Sequence, residues 1–259
     1  MVLWINKKIK LEKTQMTLSF EPIETSKKIL LTDSRFLSDP EQSIFFAIKG
    51  VRHDGHQFIE DLISKGIKEF VVEKNSLSQN ASLKEICNQP EIKVWVVENC
   101  IKTLQNLAAK NRKQFSFPVI GITGSNGKTI VKEWLSNLLE DDFRIVKSPR
   151  SYNSQIGVAL SVWEMQKQHE LGIFEAGISM HGEMELLEPM ILPEIGVFTN
   201  IGTAHNEGFK SLKSKITEKL RLFQKSKILV YCKDYQEVNQ EIEIFLKPFI
   251  DFATSISVI

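Results

Sequence analysis

The chain has 259 residues, 42% of them hydrophobic and 25% charged, which is the composition of a globular protein with one large or two modest domains. Its formal net charge of +1 provides no basic field to attract nucleic acid or an anionic membrane surface. Neither nucleic acid nor a membrane surface is therefore an expected partner.

The cysteines and the N-terminus indicate where the protein works. Cys87, Cys100 and Cys232 have no metal-ligand spacing, so we expect reduced thiols in a cytoplasmic protein. The apolar run "VLWI" is too short for a signal peptide or a membrane span. We expect a monomer that does not insert into membranes.

After a lead-in over residues 1–20, the pattern predicts a small α/β domain over residues 21–113. Short apolar runs at 43–50, 69–73 and 92–98 are typical of strands, and 56–67 and 101–115 have helical spacing. The polar stretch "NRKQFSFP" places the domain boundary near residue 114.

The second predicted domain covers residues 114–259 and alternates strands with helices. This order predicts a mostly parallel sheet with helices on both faces, so the fold class of the chain is α/β. The predicted strands are 119–122, 144–148, 171–177, 195–202 and 227–232, and the predicted helices are 127–140, 154–166 and 211–224. The first of these helices is expected to bury one apolar face, formed by Ile130, Val131, Trp134, Leu135 and Leu138.

Polar residues interrupt this pattern where the predicted strands end. The segment 124–129 follows one strand, Glu175 closes another, and Asn200 and His205 follow a third. Because parallel strands end at the same edge of a sheet, three distant loops are expected to converge on one site there.

The segment after the first of these strands has the features of a phosphate-binding loop. Gly121, Gly124 and Gly127 permit tight turns, and the following helix presents its positive end to an anion. Lys128 is placed to reach a β- or γ-phosphate, and the Thr129 hydroxyl to bind Mg²⁺. A standard GTPase or kinase loop would have glycine at position 122, where this chain has isoleucine.

The loop "GITGSNGKT" closely resembles the ATP loop of the Mur ligases, which folylpolyglutamate synthases share. The resemblance implies a P-loop-type ATPase domain and ATP as the nucleotide. Ile130 departs from the pattern, because many relatives have a threonine there. The implied ATP-binding residues are Gly124, Ser125, Asn126, Gly127, Lys128 and Thr129.

The same resemblance implies two magnesium ions. Glu175 by itself is equally well explained as a solvent-facing carboxylate, but "IFEAGISMHGEM" resembles the family's metal-binding segment. "TNIGTAHNEGF" resembles the segment whose histidine, here His205, binds the second ion. Magnesium prefers oxygen ligands, so the role of His205 depends on the resemblance alone. The implied metal-binding residues are Thr129, Glu175, His205 and Lys219.

Lys219 has two interpretations. The helical pattern around Lys215 and Lys219 favours two solvated lysines beside an apolar stripe. In the family, a lysine on this helix reacts with CO₂ and provides a carbamate to the second magnesium, and the family's spacing from the histidine selects Lys219. The implied catalytic residues are Lys128, Lys219 and His205.

The first domain contains two polar segments. The residues alone are explained as a turn and a solvated loop. "TDSRFL" and "FFAIKGVRHDGHQFI" resemble the UDP-sugar-binding domain of two Mur ligases. The similarity is greatest to the member that adds D-alanyl-D-alanine, particularly in the form fused to alanine racemase. The implied substrate-binding residues here are Asp33, Ser34, Arg35, Lys49, Gly50, Arg52 and His56.

"SYNSQIGVALSV" resembles a segment that faces the muramoyl peptide, which adds Asn153 and Ser154 to the substrate-binding residues. Both residue types also suit a helix N-cap, and the two roles are compatible.

The resemblance implies an ATP-dependent ligase of peptidoglycan synthesis, which joins D-alanyl-D-alanine to UDP-N-acetylmuramoyl-tripeptide through an acyl phosphate. The family's C-terminal domain is not recognised before "ATSISVI", so we expect an incomplete ATPase domain and a fragment that binds ligands with little activity alone. Three alternatives remain: the ligase that adds a diamino acid, a folylpolyglutamate-type ligase, and a non-catalytic nucleotide-binding remnant.

Overall fold

The computed structural model describes residues 28–51, 53–202, 208–250 and 257–258. The chain folds into two compact units, Met1–Cys100 and Ile101–Ile259. This division falls at the start of a helix, whereas the boundary predicted near residue 114 follows its end and stays a prediction. The predicted α/β class is confirmed, because both units are parallel sheets flanked by helices.

The first unit contains a four-stranded parallel sheet with its strands in chain order. Its strands are β1 (Ile29–Leu31), β2 (Ser43–Phe46), β3 (Glu69–Glu73) and β4 (Lys93–Val97). Its helices are α1 (Ile59–Ser64), α2 (Lys74–Gln79) and α3 (Ala81–Cys87). Phe45, Phe70 and Leu62 are fully buried in the core between the sheet and these helices.

The second unit contains a six-stranded parallel sheet. Its helices are α4 (Cys100–Arg112, of which the first residue belongs to the first unit), α5 (Lys128–Leu139), α6 (Gln155–Trp163), α7 (Met184–Ile191), α8 (Leu212–Leu220) and α9 (Gln236–Ile250). Its strands are β5 (Val119–Thr123), β6 (Ile145–Lys147), β7 (Leu171–Ala176), β8 (Ile195–Phe198), β9 (Ile228–Tyr231) and β10 (Ser257–Val258).

The strand order of this sheet is β10-β9-β8-β5-β7-β6, so β5 lies between β8 and β7. Ile122 on β5 pairs with Glu175 on β7, and Thr123 pairs with Phe198 on β8. All three strands end at the same edge, which brings together the predicted polar interruptions.

The predicted buried face of α5 is partly wrong. Val131, Leu135 and Leu139 pack on the sheet core, whereas Trp134 and Leu138 are 67% and 75% exposed. The helix has two adjacent apolar stripes, and Ile130 belongs to the exposed one with Trp134 and Leu138. A period of 3.6 residues locates a stripe but does not say which of two neighbouring stripes faces the sheet.

Within the described ranges, no helix combines the length and apolar character that crossing a membrane requires.

Candidate active site

The phosphate loop joins β5 to α5 and depends on two glycines. The φ angles of Gly124 and Gly127 are +149° and +81°, conformations that other residues rarely adopt. A Cβ atom on Gly124 would lie 2.0 Å from Thr199 Oγ1 and 3.0 Å from the backbone nitrogen of Asn200. The loop therefore packs directly on the segment after β8, and only glycine fits at position 124.

Hydrogen bonds from this segment fix the loop backbone. The N–H of Ser125 donates to the Asn200 carbonyl oxygen at 2.9 Å, and the N–H of Asn126 donates to Asn200 Oδ1 at 3.0 Å. Thr199 Oγ1 donates to the Asn126 carbonyl at 2.6 Å, and the N–H of Gly202 donates to Ser125 Oγ at 2.9 Å. The predicted convergence of the loops after β5 and β8 is confirmed.

Lys128 lies folded over the phosphate loop. Its Nζ donates to the carbonyl oxygens of Gly124 at 3.0 Å and Ser125 at 3.2 Å. Burial lowers the pKa of the Lys128 amine, against the opposing effect of the nearby Glu175 carboxylate. An amine in this position can exchange carbonyl oxygens for phosphate oxygens without leaving the loop.

Lys219 reaches the same loop from α8. Its side chain is buried, and its Nζ donates to the Gly124 carbonyl oxygen at 3.0 Å. Burial lowers the pKa of Lys219 to about 7, and the ammonium groups of Lys128 and Lys215 act in the same direction. Lys215 is also buried and donates to the Gly202 carbonyl at 2.6 Å. The interpretation of Lys215 and Lys219 as solvated lysines is therefore wrong.

Glu175 and Thr129 meet beside the loop. The Glu175 side chain is fully buried, so the solvent-facing interpretation is wrong. Its Oε2 accepts hydrogen bonds from Thr129 Oγ1 at 3.0 Å and Asn153 Nδ2 at 3.5 Å. Ser151 Oγ lies 3.3 Å from Thr129 Oγ1. Side chains from two separate parts of the sequence, Thr129 and Asn153, thus meet at one carboxylate oxygen of Glu175.

Carboxylate and hydroxyl oxygens are the hard donors that Mg²⁺ takes, so Glu175 and Thr129 fit a magnesium ion. In the part of the chain that the structure describes, no group of three or more His, Cys, Asp or Glu side chains could hold a metal. A magnesium ion at Glu175 would therefore also use oxygens of the nucleotide or water. His205, predicted for the second ion, lies outside the described residues.

A cavity of about 230 Å³ adjoins the loop. Six of the predicted site residues line this cavity: Gly124, Ser125, Lys128, Asn153, Ser154 and Lys219. The structure adds lining residues that sequence reasoning missed: Gln155, Gly177, Ile178, Ser179 and Glu183. The signal for Glu183 was present in the quoted "HGEM" segment, whereas nothing in the pattern distinguishes Gln155 from an ordinary residue of a helix.

The cavity wall is held by a network of polar side chains. Glu183 Oε2 accepts hydrogen bonds from the N–H groups of Ser179 at 2.5 Å and Met180 at 2.9 Å. Gln155 Nε2 donates to Glu183 Oε1 at 3.2 Å. Ser154 caps α6 by accepting a hydrogen bond from the N–H of Gly157 at 3.2 Å, so its predicted capping role is confirmed.

In the first unit, Asp33, Ser34 and Arg35 lie in the turn after β1. Arg35 Nε and Nη2 donate to both carboxylate oxygens of Asp33, and the Arg35 side chain is 81% exposed. The Arg35 hydrogen bond lowers the pKa of Asp33. The exposed guanidinium leaves Arg35 accessible to an anionic ligand, and its predicted role stays a prediction.

The other predicted substrate residues follow β2. His56 is buried, its Nδ1 lies 2.6 Å from Asp54 Oδ1, and its Nε2 accepts the N–H of Glu73 at 3.1 Å. Both ring nitrogens of His56 thus have partners inside the first unit. Lys49 is half exposed, with Nζ 3.9 Å from Asp54 Oδ2, and Gly50 donates its N–H to the His53 carbonyl at 2.8 Å. Arg52 lies outside the described residues.

The family models match both units. The model described as "Mur ligase family, catalytic domain" matches residues 28–120, and "Mur ligase middle domain" matches residues 122–256.

Curated proteins similar to this chain are also Mur ligases. UDP-N-acetylmuramoyl-tripeptide–D-alanyl-D-alanine ligase of Borreliella burgdorferi is 37% identical over 196 residues, which are 75% of this chain and 42% of that protein. The ligase of the same name from Bacillus subtilis is 31% identical over 207 residues, which are 78% of this chain and 43% of that protein. The chain spans less than half the length of these curated relatives.

Solved structures share the fold. The crystal structure of MurF ligase from Thermotoga maritima in complex with ADP matches with a TM-score of 0.71 and 28% identity. The match covers 86% of this chain and 49% of the Thermotoga maritima chain. MurF from Acinetobacter baumannii has a TM-score of 0.68 and 26% identity, with 83% and 46% coverage. The middle-domain match alone extends over more than half of the sequence and includes most of the phosphate loop and Glu175. The chain therefore belongs to the Mur ligase family.

Proposed function

We propose that this chain takes part in an ATP-dependent ligation that joins D-alanyl-D-alanine to UDP-N-acetylmuramoyl-tripeptide during peptidoglycan precursor synthesis. One observation carries the proposal: Glu175 contacts Thr129 at a phosphate loop over which Lys128 is folded, in a chain whose curated relatives are named UDP-N-acetylmuramoyl-tripeptide–D-alanyl-D-alanine ligase. The cytoplasmic location and the monomeric state stay predictions.

The proposed reaction has two steps, formation of an acyl phosphate and its conversion to an amide. The terminal carboxylate of the tripeptide attacks the γ-phosphorus of ATP, which forms an acyl phosphate as the bond to ADP breaks. The amine of D-alanyl-D-alanine then attacks the acyl carbon, loses a proton and displaces inorganic phosphate. Lys128 is proposed to pair with the phosphate oxygens as negative charge shifts between them, which is the main catalytic task in phosphoryl transfer.

Magnesium, when bound, neutralises phosphate charge in such reactions. Thr129 and Glu175 are the residues proposed for one ion, and His205 and a carbamate on Lys219 for a second. The burial of Lys219 at the cavity supports the carbamate, because CO₂ reacts with an uncharged amine and burial disfavours the charged form.

The acceptor is proposed to occupy the cavity next to the loop, where Asn153 and Ser154 would contact the muramoyl peptide. The UDP moiety is proposed to bind the first unit. Its exposed Arg35 side chain, held by Asp33 through Nε and Nη2, suits a diphosphate because the remaining guanidinium N–H groups can pair with phosphate oxygens. The remaining proposed contacts of the first unit are Ser34, Lys49, Gly50, Arg52 and His56.

Calorimetric titration tests the acceptor assignment. The chain is titrated with UDP-N-acetylmuramoyl-tripeptide in the presence of Mg²⁺ and adenylyl imidodiphosphate, as wild type and as the Arg35→Ala variant. We expect saturable binding that Arg35→Ala weakens at least tenfold. Lys65→Ala is the matched control, since Lys65 is a half-exposed cation of the first unit that pairs with Asp61.

Binding of the nucleotide analogue with no response to the tripeptide would contradict the acceptor assignment. Tighter binding of the UDP-N-acetylmuramoyl-dipeptide would favour the ligase that adds a diamino acid.

A further inference from the structure

Lys132 is a buried cation without a role in the proposed reaction. Its side chain has 0% exposure, and its Nζ lies 3.1 Å from Glu175 Oε1 and 3.0 Å from Glu133 Oε1. Nζ also donates to the Ser148 carbonyl oxygen at 2.7 Å and to the Arg150 carbonyl oxygen. Burying an ammonium is costly unless such partners surround it, and here two carboxylates and two carbonyl oxygens do so.

The two carboxylate oxygens of Glu175 face different partners. Oε1 lies 3.1 Å from Lys132 Nζ as an ion pair and accepts no hydrogen bond from the described residues, whereas Oε2 accepts hydrogen bonds from Thr129 Oγ1 and Asn153 Nδ2. The Glu175 side chain is itself fully buried, so water does not compete with the Lys132 ion pair. Lys132 therefore leaves a single oxygen of Glu175 available on the side of the phosphate loop.

Lys132 also holds the loop between β6 and α6. Arg150 has a φ of +50°, an uncommon conformation for a residue other than glycine, and its carbonyl oxygen accepts from Lys132. The next residue, Ser151, brings its hydroxyl oxygen to 3.3 Å from Thr129 Oγ1. The lysine thus fixes both the carboxylate and the loop that surround the candidate metal position.

We propose that Lys132 is a positioning residue that restricts Glu175 to coordination through one oxygen and thereby makes the nucleotide site select Mg²⁺ over Ca²⁺. Magnesium requires near-octahedral geometry with ligands at about 2.0–2.1 Å and suits a carboxylate that offers one oxygen. Calcium takes ligands at about 2.3–2.6 Å and readily accepts both oxygens of a carboxylate. The inference rests on the proposed function, since it requires a nucleotide and a divalent ion at this site.

The test measures ion preference as a ratio of nucleotide affinities. Wild type, Lys132→Met and Glu133→Gln are titrated calorimetrically with adenylyl imidodiphosphate in Mg²⁺ or in Ca²⁺. Wild type is expected to bind at least tenfold more tightly with Mg²⁺, and Lys132→Met to lower this ratio at least tenfold. Glu133→Gln should keep the ratio, because it neutralises the 41% exposed carboxylate that pairs with Lys132 and Lys147 and leaves the Glu175 ion pair in place.

A purely structural lysine would give a different result: affinity would fall equally with both ions. That outcome, or an unchanged ratio in Lys132→Met, overturns the proposal. Circular dichroism and thermal unfolding show whether the methionine variant folds. If it does not, Lys132→Gln replaces it, and its ratio is also expected to fall because a neutral amide lacks the charge that pairs with Oε1.

The wild-type ratio can overturn the inference without any variant. A ratio near one overturns the inference and leaves the proposed function intact. Failure of wild type to bind the nucleotide with either ion would instead contradict the proposed function.

Discussion

Lys219 and Lys128 donate hydrogen bonds to the same acceptor, the carbonyl oxygen of Gly124, each at 3.0 Å. Lys219 lies 95 positions from Gly124 in the sequence, and its hydrogen bond connects α8 to the phosphate loop. Two ammonium groups this close to one another and shielded from water repel each other. This repulsion falls when one of the two amines loses its proton or when an anion binds between them.

The pH dependence of stability tests whether Lys219 is held neutral. Its pKa is about 7 in the folded chain, below the ordinary lysine value of 10.5, so the unfolded chain binds more protons between these values. Stability should therefore rise with pH from about 7 to about 10.5. We expect the free energy of unfolding of wild type, relative to Lys219→Met, to increase by roughly 2 kcal/mol between about pH 7 and about pH 9.

The measurement is urea unfolding in CO₂-free buffer, which prevents carbamate formation. Lys213→Met is the matched control, because Lys213 is on the same helix but is exposed and paired with Glu241. Parallel pH profiles for wild type and Lys219→Met would show that Lys219 remains charged when folded.

Gly124→Ala should disrupt the phosphate loop. The new Cβ would meet Thr199 Oγ1 at 2.0 Å in a backbone conformation that suits glycine alone. We expect at least a tenfold loss of affinity for adenylyl imidodiphosphate and a destabilisation of about 1–3 kcal/mol. Calorimetry and urea unfolding measure the two effects.

Gly182→Ala separates backbone strain from the steric clash. Gly182 has a φ of +88°, but among the described residues no atom other than those of its chain neighbours lies within 4 Å of its added Cβ. This variant should lose about 1 kcal/mol of stability from its positive φ and keep its nucleotide affinity. Equal affinity losses in the two glycine variants would argue against the close packing of Gly124 on Thr199.

The two apolar stripes of α5 should respond differently to truncation. Leu135 packs against the sheet core, so Leu135→Ala is expected to lower the free energy of unfolding by about 2 kcal/mol or more. Trp134 is 67% exposed, and Trp134→Ala should change it by less than about 0.5 kcal/mol. Urea unfolding of both variants measures this, and a larger loss at Trp134 would mean that α5 is rotated relative to the sheet.

The sequence was sufficient to predict the β5–loop–α5 unit, because an apolar run, glycines and a helical stripe are local signals. It also predicted that Glu175 and Asn200 approach the loop, since the ends of parallel strands share one edge. The burial of Lys132, Lys215 and Lys219 was not predictable from a helical pattern. That burial depends on which strands and loops pack over each helix face.

Helix α7 and the role of Lys132 were not predicted from the sequence. α7 contains Pro189, which usually indicates a helix boundary, and the pattern therefore gave no helix there. The role of Lys132 depends on the Ser148 and Arg150 carbonyl oxygens, which a strained turn brings close to it. Backbone carbonyl oxygens occur at every residue, so no residue type in the sequence marks such an acceptor.

The most direct test of the account is the Mg²⁺-dependent binding of adenylyl imidodiphosphate to this chain, compared between wild type and Lys128→Met. Lys227→Met is the control, because Lys227 is an exposed lysine of the second unit that pairs with Glu194. We predict saturable binding to wild type and to Lys227→Met, weakened at least a hundredfold in Lys128→Met. Equal affinity in all three proteins, or no binding to wild type, would contradict the assignment of this loop as the nucleotide site.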